Sequence, residues 1–135
     1  MGDTRPIAPG LFVVDDAEPR LLVGRCESCG DLHFPAVETC PYCGRYAIPT
    51  AIGPCGTLRL FTVIQTAPPG YRGPVPYGFG VVEIDTTGLC VLSRLDESSL
   101  AGLRPGLPLR LRIAPLFTDP DGCDVLSWSF AVDRP

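Results

Sequence analysis

The chain is 135 residues long, which suits one ordinary domain or a small module followed by a second one. Its formal net charge is −4 and all 11 of its basic residues are arginine, a balance that argues against a general nucleic-acid-binding protein because such proteins need a basic face. It contains no run of about 18 apolar residues, so we expect no membrane-spanning helix.

The first predicted elements form a small β-rich module. The apolar stretch 11–14 predicts a short strand or a single helical turn. Residues 20–25 predict a strand, and residues 31–35 predict its hairpin partner. The one histidine, His33, lies in this hairpin, and it has no nucleophile beside it in sequence. We therefore expect His33 to be structural, bonded to a cysteine sulfur or to a backbone carbonyl, and we do not expect catalysis by this chain alone.

Four cysteines in the same module follow the spacing C-x2-C-x10-C-x2-C; they are Cys26, Cys29, Cys40 and Cys43. Each pair is followed by a glycine, which tolerates the positive φ that turns backbone amides toward the sulfurs. Four thiolates predict a closed, structural metal site, with zinc as the expected ion and iron as the alternative. Two disulfides, or four unrelated core cysteines, are the remaining interpretations. A closed site leaves no position for a substrate.

The other three cysteines, Cys55, Cys90 and Cys123, are expected to be free thiols. Free thiols beside a thiolate metal site fit a reducing cytoplasm better than secretion. The N-terminal residues also lack the charged and apolar regions of a signal peptide. We therefore expect a cytoplasmic protein.

After a turn-rich connector predicted at residues 47–56, the pattern changes to the alternation of β-strands. Strands are predicted at 57–66, 77–85, 89–94, 109–113 and 126–132. In the first of these, Leu58, Leu60 and Ile64 are expected on one face. In the last, Trp128 and Phe130 are expected in the core.

Residues 97–103 predict one or two helical turns, capped by Ser98. Five strands with a short helix between the third and the fourth predict an OB-fold barrel. The expected fold is mainly β. It comprises an N-terminal segment and zinc ribbon at residues 1–55 and an OB-fold domain at residues 56–135.

The loop at residues 67–76, between the first two barrel strands, contains four prolines. Its stiffness lowers the entropy lost on docking, and tyrosine and arginine are common anchors at interfaces. Tyr71 and Arg72 at its apex and Tyr77 at its end are therefore predicted to contact a partner. The alternative is a stiff surface loop with no binding role.

The chain resembles the rubredoxin-like zinc-ribbon plus OB-fold proteins that accompany thiolases, lipid-transfer-protein-type aldolases and MaoC-type hydratases in acyl-CoA metabolism. The residues that carry the resemblance are 25–30, 34–35, 40–44, 56–63, 76–83 and 103–106. It implies a non-catalytic accessory subunit that binds a thiolase-like or aldolase-like catalytic protein and helps to hold the acyl-CoA. It also implies a hetero-oligomer built on a dimeric partner.

Arg59, Arg110 and Arg112 lie on predicted outward strand faces, where their guanidinium groups are candidate ligands for the phosphates of CoA. Solvated arginines that keep the barrel soluble are the alternative. The alternative function is a zinc-ribbon OB-fold protein that binds single-stranded nucleic acid. Such a protein needs exposed aromatic side chains and a basic groove, and the acidic balance argues against it.

Overall fold

A computed structural model describes residues 3–15 and 17–134, which contain ten β-strands and one 3-10 turn. The strands are β1 (Thr4–Pro6), β2 (Phe12–Asp15), β3 (Glu18–Cys26), β4 (Leu32–His33), β5 (Ala47–Ile52), β6 (Cys55–Ile64), β7 (Tyr77–Ile84), β8 (Cys90–Leu95), β9 (Pro108–Thr118) and β10 (Asp124–Val132). The mainly-β class predicted from the sequence is confirmed. In the described residues, no helix has the length and apolar character needed to cross a membrane.

Strands β6 to β10 close a five-stranded barrel with the neighbour order β6-β7-β8-β10-β9, and β9 pairs back with β6. All of these pairings are antiparallel except β8 with β10, which run parallel and share the single pair Phe130↔Leu95. This order and closure confirm the predicted OB-fold. The predicted helix is one 3-10 turn at Leu100–Gly102, preceded by Ser99 rather than Ser98 and without a side-chain cap.

A second sheet is built around β3, which pairs with β2 and β4 and with β5. The apolar stretch 11–14 is therefore largely a strand. The connector predicted at 47–56 is wrong, because residues 47–52 form β5 along β3 and β6 begins at Cys55. Pro49 suggested a turn, but β5 pairs only with β3 among the described strands, and an edge strand tolerates a residue without an N–H group.

One hydrophobic core joins the two sheets. Leu21 and Val23 of β3 are fully buried, in the same cluster as Leu58 and Phe130 of the barrel. The predicted core position of Phe130 is thus confirmed. Trp128 is only partly buried. The core therefore extends from the ribbon sheet into the barrel, and the ribbon and the barrel stabilise each other.

A β-bulge in β6 changes which side chains face the core. Leu58 pairs with Val82 and Leu60 pairs with Val81, so Arg59 between them is an extra residue in the strand. Leu58 is fully buried, whereas Leu60 is 67% exposed. The prediction that Leu58, Leu60 and Ile64 share a face is therefore wrong, because the bulge shifts the alternation by one residue.

Candidate metal centre and surface sites

The structure brings the four predicted metal ligands together. The sulfurs of Cys26, Cys29, Cys40 and Cys43 all lie within 4.8 Å of one another. The Sγ atoms of Cys26 and Cys43 are 3.4 Å apart, and those of Cys29 and Cys40 are 3.8 Å apart. Cys26 and Cys40 are buried, and the other two cysteines are exposed. Each C-x2-C pair thus contributes one buried and one exposed sulfur to the same four-sulfur site.

The two turns that present these sulfurs are equivalent. The amide of Gly30 donates to the carbonyl of Cys26, and the amide of Gly44 donates to that of Cys40, both at 2.9 Å. Both glycines have a φ of +78° with open space where a Cβ would lie, so glycine is needed for the backbone conformation and not for room. The amide of Cys29 also lies 3.5 Å from the sulfur of Cys26, a contact that stabilises a thiolate.

The two thiols of the first cysteine pair have strongly divergent pKa values. The amide hydrogen bond from Cys29 lowers the pKa of Cys26 to about 6. The pKa of Cys29 rises to about 12, because partial desolvation and the neighbouring sulfurs together outweigh the lowering effect of the Asp31 amide. Four thiolates this close repel one another, and a bound cation neutralises that repulsion. The donor set therefore fits a soft divalent metal such as zinc or iron.

His33 lies beside the first cysteine pair and is 6% exposed. Its Nε2 atom is 3.1 Å from the carbonyl oxygen and 3.3 Å from the amide nitrogen of Val37. A Cβ on Gly24, its partner across the sheet, would overlap the imidazole ring. The sequence predicted that His33 is bonded to a cysteine sulfur or to a backbone carbonyl, and the structure has the contact with the carbonyl.

The proline-rich loop folds back on the barrel. The hydroxyl of Tyr71 donates to the carbonyl of Pro74 at 2.8 Å, and its ring centroid is 4.6 Å from that of Tyr77. The guanidinium of Arg72 lies 4.9 Å from the centroid of the Phe117 ring. Tyr71 is half-buried, Tyr77 is buried and Arg72 is exposed. The loop thus presents Arg72 to solvent, and the partner contacts expected of these three residues stay predictions.

A cavity of about 210 Å³ opens beside this loop, and we call it the seam pocket because β8 and β10 share only one residue pair next to it. It is lined by Tyr71, Tyr77, Phe79, Leu92, Ser93, Arg94, Leu116, Ser127 and Trp128. Arg94 forms no ion pair within the described part of the chain. The pocket therefore combines aromatic walls with one arginine that lacks an acidic partner.

The three arginines expected to bind CoA phosphates are each paired with a carboxylate in the structure. The pairs are Arg59–Glu83 at 2.9 Å, Arg110–Glu18 at 2.9 Å and Arg112–Asp96 at 2.8 Å. Arg110 stands opposite Cys55 in the register, so Arg59 lies four residues further along β6. The structure therefore does not gather the three guanidinium groups, and a phosphate would compete with a carboxylate at each of them.

Sequence reasoning missed the surface positions of Leu92 and Trp128. Leu92 is 62% exposed, and Trp128 packs edge-to-face on Phe34 of the ribbon at 5.5 Å while lining the seam pocket. No sequence signal marked Leu92, because in β8 the apolar Leu92 points outward while the polar Ser93 beside it is buried. The position of Trp128 depends on Phe34, which is distant in sequence.

Two family models match the chain. Residues 16–46 match the rubredoxin-like zinc ribbon domain of ChsH2, and residues 50–114 match the C-terminal OB-fold domain of ChsH2. A DUF35 domain-containing scaffold protein from Methanocaldococcus jannaschii is 33% identical over an alignment of 67 residues, and the alignment covers 47% of this chain and 48% of that protein. The chain thus spans about half the length of this curated relative.

Two solved structures have a similar fold. The Ltp2-ChsH2(DUF35) aldolase superposes with a TM-score of 0.64 at 24% identity, over 84% of both chains. A DUF35-family protein of unknown function from Sulfolobus solfataricus superposes with a TM-score of 0.52 at 14% identity, over 84% of this chain and 76% of that one. At these identities the likeness shows the fold.

Proposed function

The chain belongs to the ChsH2 family of zinc-ribbon and OB-fold proteins, and from this premise we propose that it is a non-catalytic accessory subunit of an acyl-CoA-processing complex. Its partner is a catalytic subunit of the aldolase or thiolase type. A solved structure of similar fold is an Ltp2-ChsH2(DUF35) aldolase, and a curated relative is a scaffold protein. Both support a role in assembly.

The observation that carries this proposal is the match of both parts of the chain to one family, on a chain whose four cysteines converge at one point. A four-thiolate metal site is closed, so it stabilises a structure and does not bind substrate. His33 is buried and its Nε2 atom contacts Val37, so a substrate has no access to its imidazole ring as a general base. The catalytic groups then come from the partner subunit.

Within the complex, the N-terminal segment and zinc ribbon proposed at residues 1–55 and the OB-fold domain proposed at 56–135 supply interface area and one wall of the acyl-CoA channel. The loop residues Tyr71 and Arg72 and the seam pocket beside them are the proposed contacts. The paired arginines on β6 and β9 contact the CoA phosphates only where a carboxylate is displaced. A reducing compartment such as the cytoplasm keeps the four thiolates available for the metal.

We expect the purified chain to contain one equivalent of zinc and to be colourless. The geometry of four thiolates suits zinc and iron alike, so elemental analysis of the protein is the deciding measurement. A red protein with thiolate-to-iron charge-transfer bands would contradict zinc and would indicate an iron centre at the same cysteines.

We expect the chain to form a stable complex with an aldolase-like or thiolase-like subunit of the same organism when the two are co-expressed. Size-exclusion chromatography with light scattering measures the complex, and acyl-CoA turnover should require both chains. Failure to bind any such subunit, together with tight binding of a single-stranded oligonucleotide, would replace this function with nucleic-acid binding.

A further inference from the structure

The outer side of the barrel carries an apolar row that crosses three strands. Leu60 of β6 stands opposite Val81 of β7, and Val81 stands opposite Leu92 of β8. Leu60 is 67% exposed and Leu92 is 62% exposed. Phe79 lies on the same side of β7, two residues from Val81, and is half-buried. We call these four residues the outer apolar face.

This face is a built feature of the fold rather than a scatter of single side chains. Leu60 points outward only because the bulge at Arg59 shifts the alternation of β6. Its neighbours Phe61, Gly80 and Thr62 line the same shallow groove of about 210 Å³ as Phe79, Val81 and Leu92. Contiguous exposed apolar surface of this kind marks a protein interaction site more often than chance exposure does.

The outer apolar face is continuous with the seam pocket, since Phe79 and Leu92 line both. One surface therefore offers a flat apolar row and, next to it, a concave aromatic pocket large enough for one apolar side chain. Interfaces commonly combine a flat contact area with a pocket that receives an anchor residue.

The charges at the border of this surface indicate what covers it. At one end, Arg59 and Glu83 neutralise each other at 2.9 Å. At the other end, Arg94 and Arg72 have no acidic partner within the described residues, and Arg72 rests on an aromatic ring. The local excess is positive on a chain whose net charge is −4. A complementary partner therefore presents a carboxylate beside its apolar contact.

We propose that the outer apolar face and the seam pocket are the docking surface for the catalytic subunit, which inserts an apolar side chain into the pocket and pairs a carboxylate with Arg94. This inference rests on the proposed function and specifies which surface serves it. A second copy of the chain is a poorer occupant, because a two-fold contact would place the unpaired arginines of both copies in one interface. A row of protruding leucines also suits a protein better than a small molecule does.

The test compares two variants and their two matched controls in the complex with the co-expressed catalytic subunit. In Leu60→Gln/Leu92→Gln, the two most exposed leucines of the face become polar at similar size. Leu100→Gln is the matched control, because Leu100 is 60% exposed but lies on the 3-10 turn outside the face. Arg94→Glu reverses the unpaired charge, with Arg94→Lys as its control. Melting temperature and metal content show that each variant is folded.

We expect the double variant to lose about 100-fold in affinity and Arg94→Glu about 10-fold, whereas Leu100→Gln and Arg94→Lys stay within about two-fold of the wild type. Wild-type affinity in the double variant would overturn this docking surface and leave the proposed function intact. A further variant, Val14→Gln, alters an exposed valine of β2, and loss of affinity there instead would place the interface on β2. A wild-type chain that binds no catalytic subunit overturns both. A wild-type dimer that the double variant dissolves would show that a second copy covers the face, and would also overturn the inference.

Discussion

Replacement of Cys26 by serine is expected to release the metal and to lower the free energy of unfolding by about 4 kcal/mol, which is a large effect for one side chain. For a chain of this size, that loss corresponds to a fall in melting temperature of about 15 °C. The effect is large because Cys26 is 1% exposed and its sulfur lies within 4.8 Å of the three other sulfurs. A serine there leaves three sulfurs without the fourth ligand that closes a tetrahedral site.

The loss should reach the barrel as well as the ribbon. Cys26 ends β3, and Leu21 and Val23 of the same strand are fully buried in the cluster that contains Phe130. Disorder in β3 therefore exposes barrel side chains. The only tryptophan, Trp128, reports this directly, because its ring packs on a phenylalanine of the ribbon at 5.5 Å.

Elemental analysis, thermal unfolding and the fluorescence of Trp128 measure the three consequences in one sample. Cys90→Ser is the matched control, because Cys90 is exposed and stands outside the four-cysteine cluster. We expect it to keep one metal equivalent and to unfold within about 0.5 kcal/mol of the wild type. If Cys26→Ser kept its metal and its stability, the cluster would not be the structural centre that we infer.

The features that local sequence determines were predictable. Two C-x2-C turns, each closed by glycine, dictate where their sulfurs point, so the convergence of four cysteines followed from spacing alone. Alternation likewise identified the five barrel strands, since a strand with one face toward the core repeats every two residues. The short helix was expected, and it is a single 3-10 turn.

The features that depend on distant residues were not predictable. The bulge at Arg59 follows from how β6 matches β7, and no residue of β6 alone signals it. The pair of Arg110 with Glu18 joins residues that are 92 positions apart. Tyr71 suggested an exposed anchor, but its ring stacks on Tyr77 and its hydroxyl is bonded within the loop. In each case the outcome depends on the contacts that form after folding, and local sequence patterns do not determine those contacts.

Replacement of Gly80 by alanine is expected to lower the free energy of unfolding by about 3 kcal/mol and to weaken partner binding as well. Gly80 stands opposite Phe61, next to the bulge, and a Cβ there would overlap the backbone carbonyl oxygen of Leu60. The same Cβ would lie 3.1 Å from the side chain of Leu58, which is fully buried. Neither neighbour can yield without moving the backbone of β6 or the core.

The backbone shift is what connects this glycine to docking. Relief of the overlap must displace Leu60, which is one of the four residues of the outer apolar face, so the face changes shape even while the protein stays folded. Gly102→Ala is the matched control, because the nearest atoms to a Cβ there belong to the flexible side chain of Glu97, the closest at 2.5 Å, and not to the backbone. We expect that control to lower the free energy of unfolding by less than about 1 kcal/mol and to bind the partner normally.

Thermal unfolding measures the loss of stability, and titration with the catalytic subunit measures the loss of affinity. A Gly80→Ala protein with wild-type stability and affinity would mean that the bulge adapts freely, and that the shape of the outer apolar face does not depend on it.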